Sequence, residues 1–172
     1  MGHIDLEQRI HDPAFQETLT RLYGAEGADA ARLRCAEVLA GFAKTFGSRA
    51  EALFSAPGRT EVGGNHTDHQ HGRVLAAAVD LDILAAAAPN RSGIIRAQSQ
   101  GYPMIEVDLR DLTPKAQEEN TSAALIRGVA ARMAALGCPL QEAGLDVYMT
   151  STVPGAAASA PPQPLRCSWA PC

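Results

Sequence analysis

No stretch of the 172-residue chain approaches the roughly 20 consecutive apolar residues that span a bilayer; the longest run, residues 74–88, is interrupted by Asp80 and Asp82. The N-terminus, MGHIDLEQRIHDPAF, lacks the unbroken apolar stretch of a secretory signal, because Asp5 and Glu7 fall inside it. A cytoplasmic location is the expectation. The sequence also lacks a CxxC pair. Its four cysteines, Cys35, Cys138, Cys167 and Cys172, are widely spaced, which argues for incidental thiols rather than a disulfide framework or zinc site. Clusters of Lys and Arg are missing too. With a net charge of -4 and basic residues scattered singly, neither nucleic acid nor an anionic membrane is the expected partner. A small or neutral ligand fits this composition better.

What is present suffices for a folded domain: 46% of residues are hydrophobic and 20% charged, too apolar for a disordered chain. Asp12 followed by Pro13 reads as an N-cap and first helical residue, opening a short helix that Gly24 ends. A longer helix is expected over residues 29–46, with Leu33, Ala36, Leu39, Ala40, Ala43 and Phe46 on its apolar face and Gly47 as the stop. From residue 51 the pattern changes. ALFSAP, RVLAAAVDLDILAAAAP, GIIRAQS and MIEVDL are strand-like and are separated by Gly, Pro and an Asn-Arg-Ser-Gly turn, so a mixed or antiparallel sheet with hairpin connections is predicted. A third helix over residues 121–136 places Ile126, Val129, Ala130, Met133 and Leu136 on one stripe, and GLDVYMTSTVPG reads as a strand running into a loop. Two leading helices, a sheet and a packed helix make the fold class α+β.

Residues 56–72, APGRTEVGGNHTDHQHG, hold the densest set of chemistry-bearing side chains: three histidines, an arginine, a glutamate, an asparagine and an aspartate among four glycines, between two apolar strands. Such a segment is read as a polar loop presented by a rigid scaffold. Arg59 can fork two hydrogen bonds to an oxyanion, and Asn65, His66 and Asp68 together offer donors and acceptors suited to neighbouring hydroxyl groups. A metal site built from His66, Asp68, His69 and His71 is the competing reading, but the spacing matches no common ligand pattern. A plain polar hairpin turn is another. A P-loop is excluded, since its obligatory lysine is missing here.

The stretch PGRTEVGGNHTDHQHGRVLAAAV resembles the galactokinase signature of the GHMP kinase superfamily, PGRxNxIGEHTDYxxG followed by a strand of VLPxA type. Pro57, Gly58, Arg59, Gly64, His66, Thr67, Asp68 and Gly72 fall in register with it. The resemblance extends over residues 1–155, as the N-terminal galactose-binding part of such a kinase domain. It implies that Arg59, Asn65, His66 and Asp68 lie at the sugar, with Arg59 also catalytic, near the transferred phosphoryl group. The implied reaction is attack of the anomeric hydroxyl of galactose on the γ-phosphate of ATP with Mg²⁺ present. Asn65 stands where the signature has glutamate, Glu61 where it has asparagine and His69 where it has tyrosine; Asn65 still accepts a hydrogen bond but carries no charge.

Members of that family follow the VPG lead-in with a phosphate-wrapping motif of the form GSGLSSSAA. Here residues 156–172 read AAASAPPQPLRCSWAPC, with four prolines and no period, and are expected to be a disordered tail. Read one base out of frame, with suitable wobble bases, that tail spells a string of the GSGLSSSAA type. The expectation is a frameshift near residue 155, leaving a truncated sugar-binding domain that retains neither the nucleotide motif nor the catalytic aspartate and binds neither ATP nor Mg²⁺ itself. A non-catalytic sugar-binding or sensor module, or a non-functional product, is the alternative. Missing helices would leave sheet surface uncovered and favour association.

Overall fold

A computed structural model of the chain describes residues 5–64, 72–140 and 143–153. Two helices precede the sheet: α1, Leu6–Arg9, and α2, Pro13–Phe46. Asp12 stands at the N-cap position of α2, with no side-chain bond to the first turn, and Pro13 opens the helix; Gly24, at φ 75° and ψ 166°, breaks the helical course; and Gly47, at φ 68°, ends it. The predicted punctuation at Pro13, Gly24 and Gly47 therefore appears, with the two expected helices joined end to end across a kink.

Among the described residues five strands follow: β1 (Ala52–Gly63), β2 (Leu75–Pro89), β3 (Ile94–Ser99), β4 (Ile105–Asp108) and β5 (Leu145–Ser151), with α3 (Ser122–Ala135) between β4 and β5. They form one sheet in the order β1-β2-β5-β3-β4. β1–β2, β3–β4 and β2–β5 are antiparallel, while β3 and β5 run parallel. A parallel pair needs a crossover, and the segment containing β4 and α3 supplies it. The class is α+β with a mixed sheet, as expected.

The core lies between α2 and the sheet. Leu19, Ala28, Ala31, Cys35, Val38, Leu39 and Phe42 of α2 pack with Leu84, Ala86 and Ala88 of β2, and Tyr148 of β5 joins the cluster. Phe42 and Val38 are fully enclosed, each contributing about 1.5–3 kcal/mol by burial. The sequence-predicted stripe is corrected in part: Leu39 is buried, but Leu33 is 62% exposed and Ala40 faces solvent. The helix is turned so that Val38, Leu39 and Phe42 pack in the core together with the smaller Ala28, Ala31 and Cys35. At Gly41 any Cβ would enter the Tyr148 ring, so this rotation brings the helix backbone close to that ring beside the enclosed Phe42 and Val38.

α3 starts at the predicted Thr121, whose hydroxyl accepts from the backbone N–H of Ala124 at 3.3 Å. Its expected apolar stripe is also corrected. Ala130 is buried, yet Val129 is 66% exposed, and Met133 and Leu136 are exposed as well. The buried face is instead organised by Arg127, which forks to Glu118 (Nε to Oε2 and Nη2 to Oε1, both 2.7 Å) and donates to the carbonyl of Asp111. α3 packs against β4 and the 3₁₀ turn Ala116–Glu118. A second ion pair, buried at its acid, ties the sheet: Asp146 of β5 accepts two bonds from Arg96 of β3 (2.7 and 2.6 Å) and one from Asn90 (2.5 Å). Among the described residues no helix is long and apolar enough to cross a membrane.

Candidate functional site

The polar segment is built differently from the expected loop. β1 continues through Pro57, Gly58 and Arg59 to Gly63, so the first half of residues 56–72 is strand. Proline is tolerated there because β1 is an edge strand of the sheet, where a missing N–H costs no ladder bond on the outer side. The β1–β2 ladder is regular from Ala52↔Ala87 to Pro57↔Asp82, shifts register, and resumes at Arg59↔Ala78. Gly58 sits at the shift. A Cβ there would lie 3.1 Å from Val79 Cγ2, 3.2 Å from the Leu81 carbonyl and 3.2 Å from Val153 Cγ2, so the strand bends tightly over its neighbours.

Gly64 closes the base of the connection between β1 and β2. Its φ of 86° is one that L side chains rarely adopt, and a Cβ would collide with the Arg73 carbonyl oxygen and come within 3.0 Å of Val74 Cα. The two ends of the 65–71 segment are thereby drawn together.

Of the four sequence-predicted site residues, Arg59 is described: it is exposed on β1. Among the described residues it has no acidic partner within ion-pair distance. Asn65, His66 and Asp68, with His69 and His71, lie outside the described residues, as does the tail, residues 156–172. Glu61 is exposed on β1 opposite Ala76. Among the described residues no group of three or more His, Cys, Asp or Glu side chains is placed to hold a metal ion.

Sequence reasoning missed the most connected polar side chain nearby. Asp82 is 3% exposed and sits opposite Pro57, the last pair before the register shift. Its Oδ2 accepts from Tyr23 Oη at 2.5 Å and Ser55 Oγ at 2.6 Å, while Oδ1 lies 2.8 Å from Arg34 Nη2. That Arg34 N–H is not aligned for a hydrogen bond, so the contact is an ion pair. The Asp82 backbone N–H donates to Thr152 Oγ1 at 3.0 Å, and its carbonyl accepts from the Thr152 N–H at 3.0 Å. Burial pushes the carboxyl pKa upward, but the Ser55, Tyr23 and Arg34 contacts outweigh it and hold the group below the usual carboxylate range. Burial, with the bond to Asp82, pushes Tyr23 up. Nearby Cys35 is pushed up to about 11, also by burial, which keeps it a thiol. The readable signal was the acid itself: a carboxylate inside an apolar strand facing a helix demands a cation.

Comparison with known proteins adds an independent line. Residues 40–89 match the family model described as the galactokinase galactose-binding signature. The galactokinase of Lacticaseibacillus casei (strain BL23) is 32% identical over 124 residues, covering 70% of this chain and 31% of that protein. That of Streptomyces coelicolor is 34% identical over 118 residues, covering 67% and 30%. The crystal structure of Lactococcus lactis galactokinase complexed with galactose superimposes with a TM-score of 0.58 at 21% identity, over 69% of this chain and 31% of that one. The likeness to that structure is one of fold. The chain spans about a third of the length of the galactokinases it matches.

Proposed function

We propose, from the premise that residues 40–89 carry the galactokinase galactose-binding signature, that this chain supplies the sugar-holding part of a galactokinase-type reaction. Galactose is the ligand. Arg59, Asn65, His66 and Asp68 are its contacts, gathered where β1 and β2 are pinched together at Gly64. The observation that carries this reading is the signature match, supported by a hairpin whose base is fixed by a glycine that no other residue replaces without strain.

Each residue has a distinct task. His66 and Asp68 hold adjacent sugar hydroxyls, the carboxylate accepting and the imidazole donating or accepting according to its tautomer. Asn65 accepts a hydroxyl hydrogen bond through its amide oxygen, without the charge assistance of the signature's glutamate, so the grip at that hydroxyl is weaker. Arg59, fixed on an edge strand, directs its guanidinium at the anomeric oxygen and the phosphoryl group that would be transferred to it. In a galactokinase ATP would supply that phosphoryl group, with Mg²⁺ neutralising the charge on its phosphates. The described residues include no acidic cluster for the ion, and the helix N-termini carry Asp12 and Thr121 as N-cap residues rather than a glycine-rich cradle. No step through ATP is therefore assigned to this chain.

Two measurements test the reading. Titration calorimetry with galactose is expected to give heat saturating at millimolar sugar, lost in Arg59→Ala and Asp68→Ala; no heat from the wild-type chain sinks it. Incubation with ATP, Mg²⁺ and galactose is expected to yield no sugar phosphate, as for a sugar-binding module; product formation would make the chain a kinase in its own right. The proposed change of reading frame at residue 156 is tested by sequencing the DNA through and beyond codon 155. A downstream frame encoding the rest of a kinase supports it, and the lack of one refutes it.

A further inference from the structure

We infer that Asp82 is the positioning residue of the proposed sugar site: it fixes where the β1 strand leaves regular pairing and thereby where Arg59 is held. The inference rests on the sugar-binding reading above and names a residue that the signature's own polar positions do not include.

The geometry is convergent. Tyr23 and Arg34 lie on opposite sides of the kink at Gly24, and both meet the Asp82 carboxylate, so one side chain clamps the two halves of α2. Ser55, donating to the same carboxylate, stands four residues before Arg59 on β1. Thr152, bonded to the Asp82 main chain through both its N–H and its hydroxyl, holds the segment just beyond β5, where Val153 Cγ2 bears on Gly58. Asp82 thus touches every element that surrounds the Gly58 register shift. Beyond it the ladder resumes at Arg59↔Ala78, so the Pro57–Asp82 pair is the last one before the bend.

A carboxylate in this position is not a cheap way to stabilise a sheet. Its charge must be desolvated, and a well-packed apolar residue of similar size serves stability as well or better. What the carboxylate adds is direction: its two oxygens take three partners from two elements in one arrangement, which an apolar side chain does not specify. The Asp146–Arg96 pair provides the comparison. It is equally buried at its acid, but it joins β3 to β5, away from the register shift.

The test compares Asp82→Asn with Asp146→Asn in the full chain. Asp82→Asn is expected to move the amide resonances of Gly58, Arg59 and Val153 while leaving Ala97 and Val107 in place; Asp146→Asn is expected to do the reverse. Galactose affinity should fall about tenfold in Asp82→Asn, as expected when a contact group is displaced by a fraction of an ångström, and stay within about twofold in Asp146→Asn, a change too small to register as a lost contact. Tyr23→Phe and Ser55→Ala, each removing one donor to the Asp82 carboxylate, should lower galactose affinity and move the Gly58 and Arg59 amides; these variants decide the matter if Asp82→Asn does not fold. Unmoved amides at Gly58 and Arg59, or equal loss of affinity in the Asp82 and Asp146 variants, overturns the inference. Should wild type bind no galactose, the sugar reading fails, while the amide shifts still decide whether Asp82 sets the bend.

Discussion

Replacing Gly64 by alanine tests whether the hairpin base is the strained point that holds the site together. A left-handed backbone costs an L residue about 1–2 kcal/mol, and at φ 86° Gly64 is in that half of the map. The new methyl would also collide with the Arg73 carbonyl and sit 3.0 Å from Val74 Cα, both main-chain atoms that move only if the hairpin opens. Displacing them adds about 1–3 kcal/mol, the usual cost of overpacking. The sum is about 2–5 kcal/mol, or roughly 4–20 °C in Tm for a chain of this size. Gly63 is the internal control: it is the preceding residue, is in strand, and has nothing within 4 Å of the position a methyl would take. Gly63→Ala should be neutral or stabilise by up to about 1 kcal/mol through the unfolded state. Urea unfolding gives both values, and galactose calorimetry reports the site, where Gly64→Ala should abolish detectable binding and Gly63→Ala should not. If the two variants unfold within about 0.5 kcal/mol of each other, a difference ordinary surface substitutions show, the pinch at Gly64 does not constrain the hairpin.

Three further outcomes follow from the packing. Because the folded pKa of Asp82 is held below its unfolded value, its ionic contribution is present at neutral pH and is lost as pH falls through the folded pKa, on the acid side of the ordinary 3.8; urea midpoints followed from neutral pH into that acid range should decline more steeply for wild type than for Asp82→Asn, and parallel curves would contradict this. Cys35, buried and with its thiol pushed up to about 11, should resist iodoacetamide under mildly alkaline conditions in the folded chain and react after denaturation, as read by peptide mapping. The exposed face of α3 should favour self-association: Leu125→Lys with Val129→Glu is expected to lower the sedimentation-derived association constant while changing stability by no more than about 0.5 kcal/mol per site, because these residues are 61% and 66% exposed.

The parts of the fold that the sequence disclosed are those governed by local chemistry. Pro13, Gly24, Gly47 and Thr121 act through the backbone conformations and bonds they permit, so helix limits could be read directly. The strands were legible from their change of period. Helix rotation was not, because alanine-rich segments contain several overlapping apolar stripes, and the choice among them is made by packing across the core, where Tyr148 meets Gly41. On α3 the predicted stripe has little cover among the described residues; Arg127, which lies off that stripe, is the docking residue. In the candidate site the types and order of the polar residues were plain, yet Pro57 and Gly58 carry a loop-like signal that an edge strand absorbs. Asp82 was visible as an interruption of an apolar run. Its partners, Tyr23 and Arg34, lie far off in sequence and meet it only through the packing of α2.

The place of β5 in the sheet bears on how the chain acquires its shape. The β1–β2 and β3–β4 hairpins are each contiguous in sequence, but among the described residues no direct ladder joins one to the other; β5, synthesised after both, lies between them. During translation the two hairpins must wait as separate units, with unsatisfied edges, until residues 145–151 clear the ribosome. Slowing synthesis just before that point would lengthen the interval in which nascent chains can pair with one another instead of with themselves.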